Sequence, residues 1–185
     1  MIDPQGWFVN AQRVLSPNYN DRPNPTDISL LVIHNISLPP EQFGSTDICD
    51  FFTNCLDIGA HPYFKEIAEL QVSSHLLIDR QGKIIQFVSF DDRAWHAGQS
   101  CFEDVDNCND YGIGIELEGA DEVPYTDSQY QSLIEVTRAL LVRYPTIIKQ
   151  RIVGHSDISP GRKTDPGPAF DWQHYFSATF SDADV

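Results

Sequence analysis

The sequence predicts an α/β domain with a single β-sheet. Three observations predict it. Short β-rich apolar runs recur along the chain, a well-capped amphipathic helix stands between two of them, and strand and helix periodicities interleave instead of segregating. At 185 residues the chain is long enough for one domain, 1–185, to bury a substantial core. No internal repeat, low-complexity tract or linker divides it.

The elements follow in order. Residues 28–34, Ile-Ser-Leu-Leu-Val-Ile-His, form an apolar run expected as a buried strand with His34 at its C-terminal end. A long segment, 35–71, comes next. Within it, residues 46–57 carry Ile48, Phe51, Phe52, Cys55 and Leu56 at helical spacing, which predicts a helix packed on the body. Residues 73–79 and 83–89 flank Arg80-Gln81-Gly82 and read as a hairpin. Ile113, Ile115 and Leu117 alternate with Gly112, Gly114, Glu116 and Glu118, a strand with one apolar face and one nearly bare face. Glu118 is expected to face solvent, and the glycines to leave room for a water or ligand over the Glu116 carboxylate. Thr126 and Gln129 make a capping box for a helix whose stripe is Tyr130, Leu133, Ile134, Leu140 and Leu141, and Pro145 ends it. Arg151-Ile152-Val153 is one more short strand, leading into a loop.

That loop, 154–168, holds His155, Lys163, Asp157 and Asp165 among three prolines and three glycines. Proline limits the backbone and glycine permits tight bends, so it reads as a fixed loop. Few of its side chains can bury apolar surface, and a metal ion is one source of order. Catalytic zinc sites take three protein ligands and keep an open position. His34 and His155 each end a β-like run, which puts both at one sheet edge, and Asp165 follows within reach. Glu116 is placed to take a proton from water, and Lys163 to face a developing oxyanion. The plainer reading, a structured surface loop with an incidental histidine, stands beside this one. His75 reads as structural, and His61 and His174 as incidental. The Trp95-His96-Ala97-Gly98 motif is either a packed turn or a tryptophan exposed for stacking on a sugar. A metal site from His96, Cys101 and Cys108 fits no common spacing.

Composition narrows the partners. A formal charge of −15 argues against nucleic acid and anionic membrane as partners. The N-terminus has no basic and apolar export signal, and no apolar run is long enough to span a bilayer. Cys49, Cys55, Cys101 and Cys108 form no CxxC pair, so reduced thiols in a cytoplasmic protein are expected.

Several motifs carry a resemblance over nearly the whole chain. They are Leu31-Val32-Ile33-His34-Asn35, Ser74-His75-Leu76-Leu77-Ile78, Arg93-Ala94-Trp95-His96-Ala97-Gly98, Cys108-Asn109-Asp110 and Gly114-Ile115-Glu116-Leu117-Glu118-Gly119. Tyr125-Thr126-Asp127, Gly154-His155-Ser156-Asp157 and Arg162-Lys163-Thr164-Asp165-Pro166-Gly167-Pro168 complete the set. The chain resembles the zinc amidase superfamily that includes T7-type lysozymes and peptidoglycan recognition proteins. Its last two motifs resemble the branch acting on 1,6-anhydro-muropeptides. The resemblance implies a mixed central sheet flanked by helices, with Zn2+ held by His34, His155 and Asp165. It implies Glu116 and Lys163 as the catalytic pair, and Asn35, Tyr63, Trp95 and Arg162 beside the muropeptide. The implied reaction is hydrolysis of the lactyl–L-alanine amide of soluble anhydro-muropeptides during cytoplasmic peptidoglycan recycling, with no obligate protein partner. Residues 99–107 hold Glu103, Asp104 and Asp106 and no basic side chain, so Arg93, Arg162 and Lys163 are expected to meet the peptide carboxylates. Two rivals share the fold: a muropeptide-binding module that does not cut, and a wall-degrading lysin. The first typically lacks a metal ligand, and the second needs export or a wall-binding module.

Overall fold

Two seven-residue strands, one buried throughout and the other over its first five residues, lie side by side at the centre of the structure, a computed structural model that describes residues 1–181. Among the described residues, ten strands and five α-helices follow the chain as β1 (Gln12–Arg13), β2 (Tyr19–Asn20), β3 (Leu30–Ile36), α1 (Asp47–Phe52), α2 (Phe64–Ile67), β4 (Leu76–Ile78) and β5 (Ile84–Gln86). Then come β6 (Arg93–Ala94), β7 (Cys101–Phe102), β8 (Val105–Asp106), β9 (Gly112–Glu118), α3 (Asp127–Arg143), β10 (Ile152–Gly154), α4 (His155–Ile158) and α5 (Trp172–Thr179). Six strands form one mixed sheet in the order β1-β5-β4-β9-β3-β10, antiparallel only at β4–β5. Helices covering both faces make this the α/β architecture that the interleaved periodicities predict.

One face carries Leu31, Ile33, Leu76, Ile78, Ile113, Ile115 and Leu117, packed under α3 and α5. The capping box of α3 is formed as the sequence predicts, with Thr126 Oγ1 accepting from Gln129 N at 3.1 Å. Gln129 is itself fully buried and donates to the carbonyl of Glu118 at 2.9 Å, which moors the helix start to the end of β9. The opposite face is divided. Leu77 and Ile85 pack under Phe51, Phe52 and Phe64 of α1 and α2, while Leu30 and Val32 pack under Ala97, Cys108, Tyr111 and Ile158.

Several expectations are corrected. Strand β3 runs two residues past His34, to Ile36, because β9 pairs with it that far. The helix expected over 46–57 is only α1, since Asn54 turns the chain at φ 61° and leaves Cys55 exposed. Glu118 is not at the solvent: it is buried, and its two carboxylate oxygens accept from Gly44 N at 2.5 Å and Arg80 N at 3.0 Å. The loop after β10 begins as α4, not as irregular chain. Helix α5 was not expected, since its aromatic-rich sequence has modest helix propensity. Asp171 caps it by accepting from His174 N at 2.8 Å, and Tyr175 anchors it, with Tyr175 Oη 2.7 Å from Thr137 Oγ1 of α3.

The loop 154–168 owes its order to its surroundings. Ser156 N donates to the Asp165 carbonyl at 3.0 Å, Tyr125 Oη to the Pro166 carbonyl at 2.8 Å, and Ala169 N to the Asp121 carbonyl at 3.0 Å. Gly167 has φ +78°, and a Cβ there would lie 2.3 Å from the Cα of Asp121, so only glycine fits. Asp157 closes the start of α4, accepting from Gly154 N at 2.7 Å. All four cysteines carry free thiols, and among the described residues no helix is long and apolar enough to cross a membrane.

Arg22, from the segment before β3, is 5% exposed and spreads its guanidinium over the carbonyls of Asn109, Asp110, Phe90 and Gly112 at 3.0–3.2 Å. Burial lowers its pKa to about 10, so it stays charged at neutral pH. Arg22→Met strips these acceptors of a donor and is expected to cost about 3 kcal/mol or more in urea unfolding. Arg22→Lys should recover only part, because a point ammonium cannot reproduce the fork. A Met variant as stable as the parent would contradict this role.

Candidate active site and metal centre

The parallel register assembles the site. In β3–β9, His34 pairs with Glu116, so their side chains emerge side by side on the same face. In β3–β10, Ile33 pairs with Gly154, so His155 arrives next to His34 as β10 gives way to α4. Asp165 returns through the loop, its carbonyl held by Ser156 N. His34 Nδ1 lies 2.9 Å from His155 Nδ1 and 3.2 Å from Asp165 Oδ2, and His155 Nδ1 lies 3.1 Å from the same oxygen. Among the described residues these three form the group that could hold a metal ion. Zn–N bonds of about 2.0–2.1 Å put two donors on a tetrahedral zinc about 3.3 Å apart. The observed triangle therefore fits that ion.

The outer nitrogens are also satisfied. His155 Nε2 donates to the Ala97 carbonyl at 3.0 Å, which leaves its Nδ1 lone pair facing the cluster. His34 Nε2 lies 3.0 Å from His96 Nδ1. Burial pushes the His34 imidazole down to about 4, against the pull of the Asp165 carboxylate, so the ring is neutral at pH 7 and can act as a ligand.

The two carboxylates part company. Burial would raise Asp165, but its contacts with His155 and His34 outweigh this and hold it well below the usual carboxylate range. Glu116 has no such partners. Burial, and then the Asp165 charge, hold it well above its ordinary value, with Lys163 pulling the other way. Its Oε2 is buried without a hydrogen-bond partner, an acceptor aimed into the site. Such a divergence suits one carboxylate to a cation and the other to proton transfer.

A cleft of about 360 Å³ opens over this group. Asn35, Tyr63, Trp95, Glu116, His155, Lys163 and Asp165 all line it, beside an apolar wall that includes Leu38, Phe52 and Val72. Asn35 Nδ2 donates to Asp121 Oδ1 at 2.8 Å, and Trp95 Nε1 to Asn20 Oδ1 at 2.8 Å. Arg162 does not line the cleft. Its Nη2 donates to the carbonyls of Ala97 at 2.6 Å and Gln99 at 2.7 Å, behind His155. Arg93 pairs with Asp110 at 2.5 Å. Of the three cations expected to meet peptide carboxylates, only Lys163 reaches the cleft. The bare face of β9 is filled by protein: a Cβ on Gly114 would lie 2.4 Å from His96 Cγ, and one on Gly112 would lie 2.5 Å from the Cys108 carbonyl oxygen. His96, which the sequence placed in a packed turn or in a metal site with Cys101 and Cys108, thus belongs to this site instead. The signal was present, since a glycine face inside a sheet demands something large against it.

The fold and the site define an amide hydrolase, and the comparisons agree: the chain belongs to the N-acetylmuramoyl-L-alanine amidase family, which matches residues 24–168. Within it, the chain is 56% identical over 174 residues to the 1,6-anhydro-N-acetylmuramyl-L-alanine amidase AmpD of Haemophilus influenzae, covering 94% of this chain and 95% of that one. It is 57% identical over 175 residues to the Escherichia coli AmpD, covering 95% of each. A crystal structure of a selenomethionine AmpD derivative superposes with a TM-score of 0.93 at 53% identity, covering 96% of this chain and 98% of that one. The E. coli amidase AmiD, in complex with the substrate anhydro-N-acetylmuramic acid-L-Ala-D-gamma-Glu-L-Lys, superposes with a TM-score of 0.61 at 29% identity, covering 96% of this chain and 65% of that one.

The raised pKa of Glu116 makes a stability prediction for the metal-free protein. In the unfolded chain this carboxyl ionises near its ordinary 4.5, whereas in the folded protein it keeps its proton to higher pH. The stability of the protonated form is intact below the unfolded value and is lost as pH rises through the folded one. Glu116→Gln removes that loss. It should raise the Tm of chelator-treated protein at about pH 8 and leave it unchanged at about pH 4. A Tm difference independent of pH would rule out a strained carboxylate here.

Proposed function

We propose that this chain is a zinc-dependent amidase that hydrolyses the amide between the lactyl group of 1,6-anhydro-N-acetylmuramic acid and L-alanine, on soluble muropeptides in cytoplasmic peptidoglycan recycling. The observation that carries the reading is the convergence of His34, His155 and Asp165 with Glu116 in one cleft. High identity to the AmpD amidases over nearly their full length supports it. Zinc held by the two imidazoles and the Asp165 carboxylate would supply a Lewis acid and a water ionisable near neutral pH.

The remaining chemistry belongs to the chain. Glu116 Oε2 takes a proton from the attacking water as its oxygen adds to the lactyl carbonyl carbon. Lys163 faces the alkoxide formed from the carbonyl oxygen and offsets its charge. The C–N bond then breaks, and Glu116 returns the proton to the departing alanine nitrogen. Trp95, tethered through Asn20, offers a flat surface to the compact bicyclic sugar, and Asn35 and Tyr63 line its approach. Arg162 acts from behind, through the Ala97 carbonyl that also receives His155 Nε2.

Chelation should abolish activity on a defined anhydro-muropeptide, and zinc should restore it; full activity in a demonstrably metal-free preparation ends the zinc reading. Asp165→Ala should lose metal as well as turnover, whereas Asp157→Ala, which removes only a helix cap, should keep its metal. Glu116→Gln is expected to lower kcat by roughly 10²–10⁴ with metal retained, and Lys163→Ala by about 10²–10³. Initial rates should favour soluble anhydro-muropeptides over reducing muropeptides and over insoluble wall. Rapid solubilisation of whole sacculi would place the enzyme among lysins instead.

A further inference from the structure

An imidazole can ligate through Nδ1 only when its proton sits on Nε2. For His34 the atom facing Nε2 is His96 Nδ1, 3.0 Å away, with the two rings nearly perpendicular at 82°. Three further observations bear on His96. Its ring makes no other hydrogen bond among the described residues, and its Nε2 is shielded from solvent without a partner. A histidine kept only for structure would be expected to use both nitrogens, since an unpaired buried polar group is costly. Its position is also fixed from below, because the ring lies against the Cα of Gly114 so closely that no Cβ fits between them.

Its backbone is fixed as well. Asn109 Oδ1 accepts from the N–H of His96 at 3.0 Å and from that of Ala97 at 2.8 Å. Ala97 is in turn the residue whose carbonyl receives His155 Nε2 at 3.0 Å. Two adjacent residues of one turn therefore face the outer nitrogens of both imidazoles, and one asparagine side chain holds the two together.

We propose that the turn bearing His96 and Ala97, clamped by Asn109, is the frame that sets both imidazole ligands, with His96 the positioning residue that accepts the Nε2 proton of His34 and so turns Nδ1 to the metal. This rests on the zinc reading above. His96 is outside the His34, His155 and Asp165 group and acts through His34. Partners of this kind typically change metal affinity by about 10–100-fold when removed.

The test compares His96→Phe, which keeps the ring's shape without an acceptor, with His96→Asn, whose side-chain oxygen takes the place of Nδ1. Zinc affinity is measured by competition with a chromophoric chelator, and ligand geometry by the visible spectrum of the cobalt-substituted protein. His96→Phe should bind zinc about 10–100-fold more weakly with an altered cobalt spectrum, while His96→Asn should stay close to the parent in both. A folded His96→Phe with parental affinity and spectrum overturns the proposal. Should that variant not fold, ¹⁵N NMR of the zinc-loaded parent still decides: a proton on His34 Nε2 and none on His96 Nδ1 supports the assignment, and the reverse overturns it. Failure of the parent itself to bind zinc would instead remove the zinc reading on which this one stands.

Discussion

Everything in this site depends on the parallel pairing of β3 with its two neighbours. That pairing sets His34 level with Glu116 and brings the chain back from β10 with His155 one residue beyond the partner of Ile33. The constraint is strict because strand side chains alternate. A slip of one residue would turn His34 toward the α3 face and carry Ile33 into the cleft. The apolar residues of β3 and β9 packed beneath α3 therefore enforce the register on which the ligands rely.

A second dependence runs through the other face of the sheet. Here β9 gives up side chains at 112 and 114, so that the 95–111 segment can lie directly on its backbone. Close approach brings His96 under His34 and leaves Glu116 walled in, and that enclosure, then the Asp165 charge, raise the Glu116 pKa against the pull of Lys163. The same packing thus bears on both the His34 imidazole and the Glu116 carboxyl. Glu118, two residues along, is just as buried, but two backbone N–H groups receive its carboxylate.

Much of this was legible in the sequence. Alternation over 112–118 identified β9, the Thr126 and Gln129 pair identified the start of α3, and the rigid loop beyond His155 marked where polar chemistry gathers. Local pattern misled where distant partners decide. Glu118 looked like a solvated carboxylate because nothing nearby in sequence announces Gly44 and Arg80. Arg162 looked free for substrate because its acceptors, at residues 97 and 99, lie far away along the chain. Helix α5 was hidden because its stability comes from Tyr175 against α3 more than from its own propensity. The glycines of β9 were read as open space, whereas a folded interior fills such grooves.

The apolar wall of the cleft has a consequence for how such a protein can change. Leu38, Phe51, Phe52, Tyr63, Ile67 and Leu70 all come from the stretch between β3 and β4, and that stretch contributes none of His34, Glu116, His155, Lys163 or Asp165. Most of the apolar wall and the groups proposed to react thus come from separate parts of the chain. Insertions, deletions and exchanges between residues 37 and 72 can reshape what is admitted while the reacting groups, rooted in strand ends and the final loop, are inherited unaltered. A fold arranged this way diversifies its diet without reinventing its chemistry.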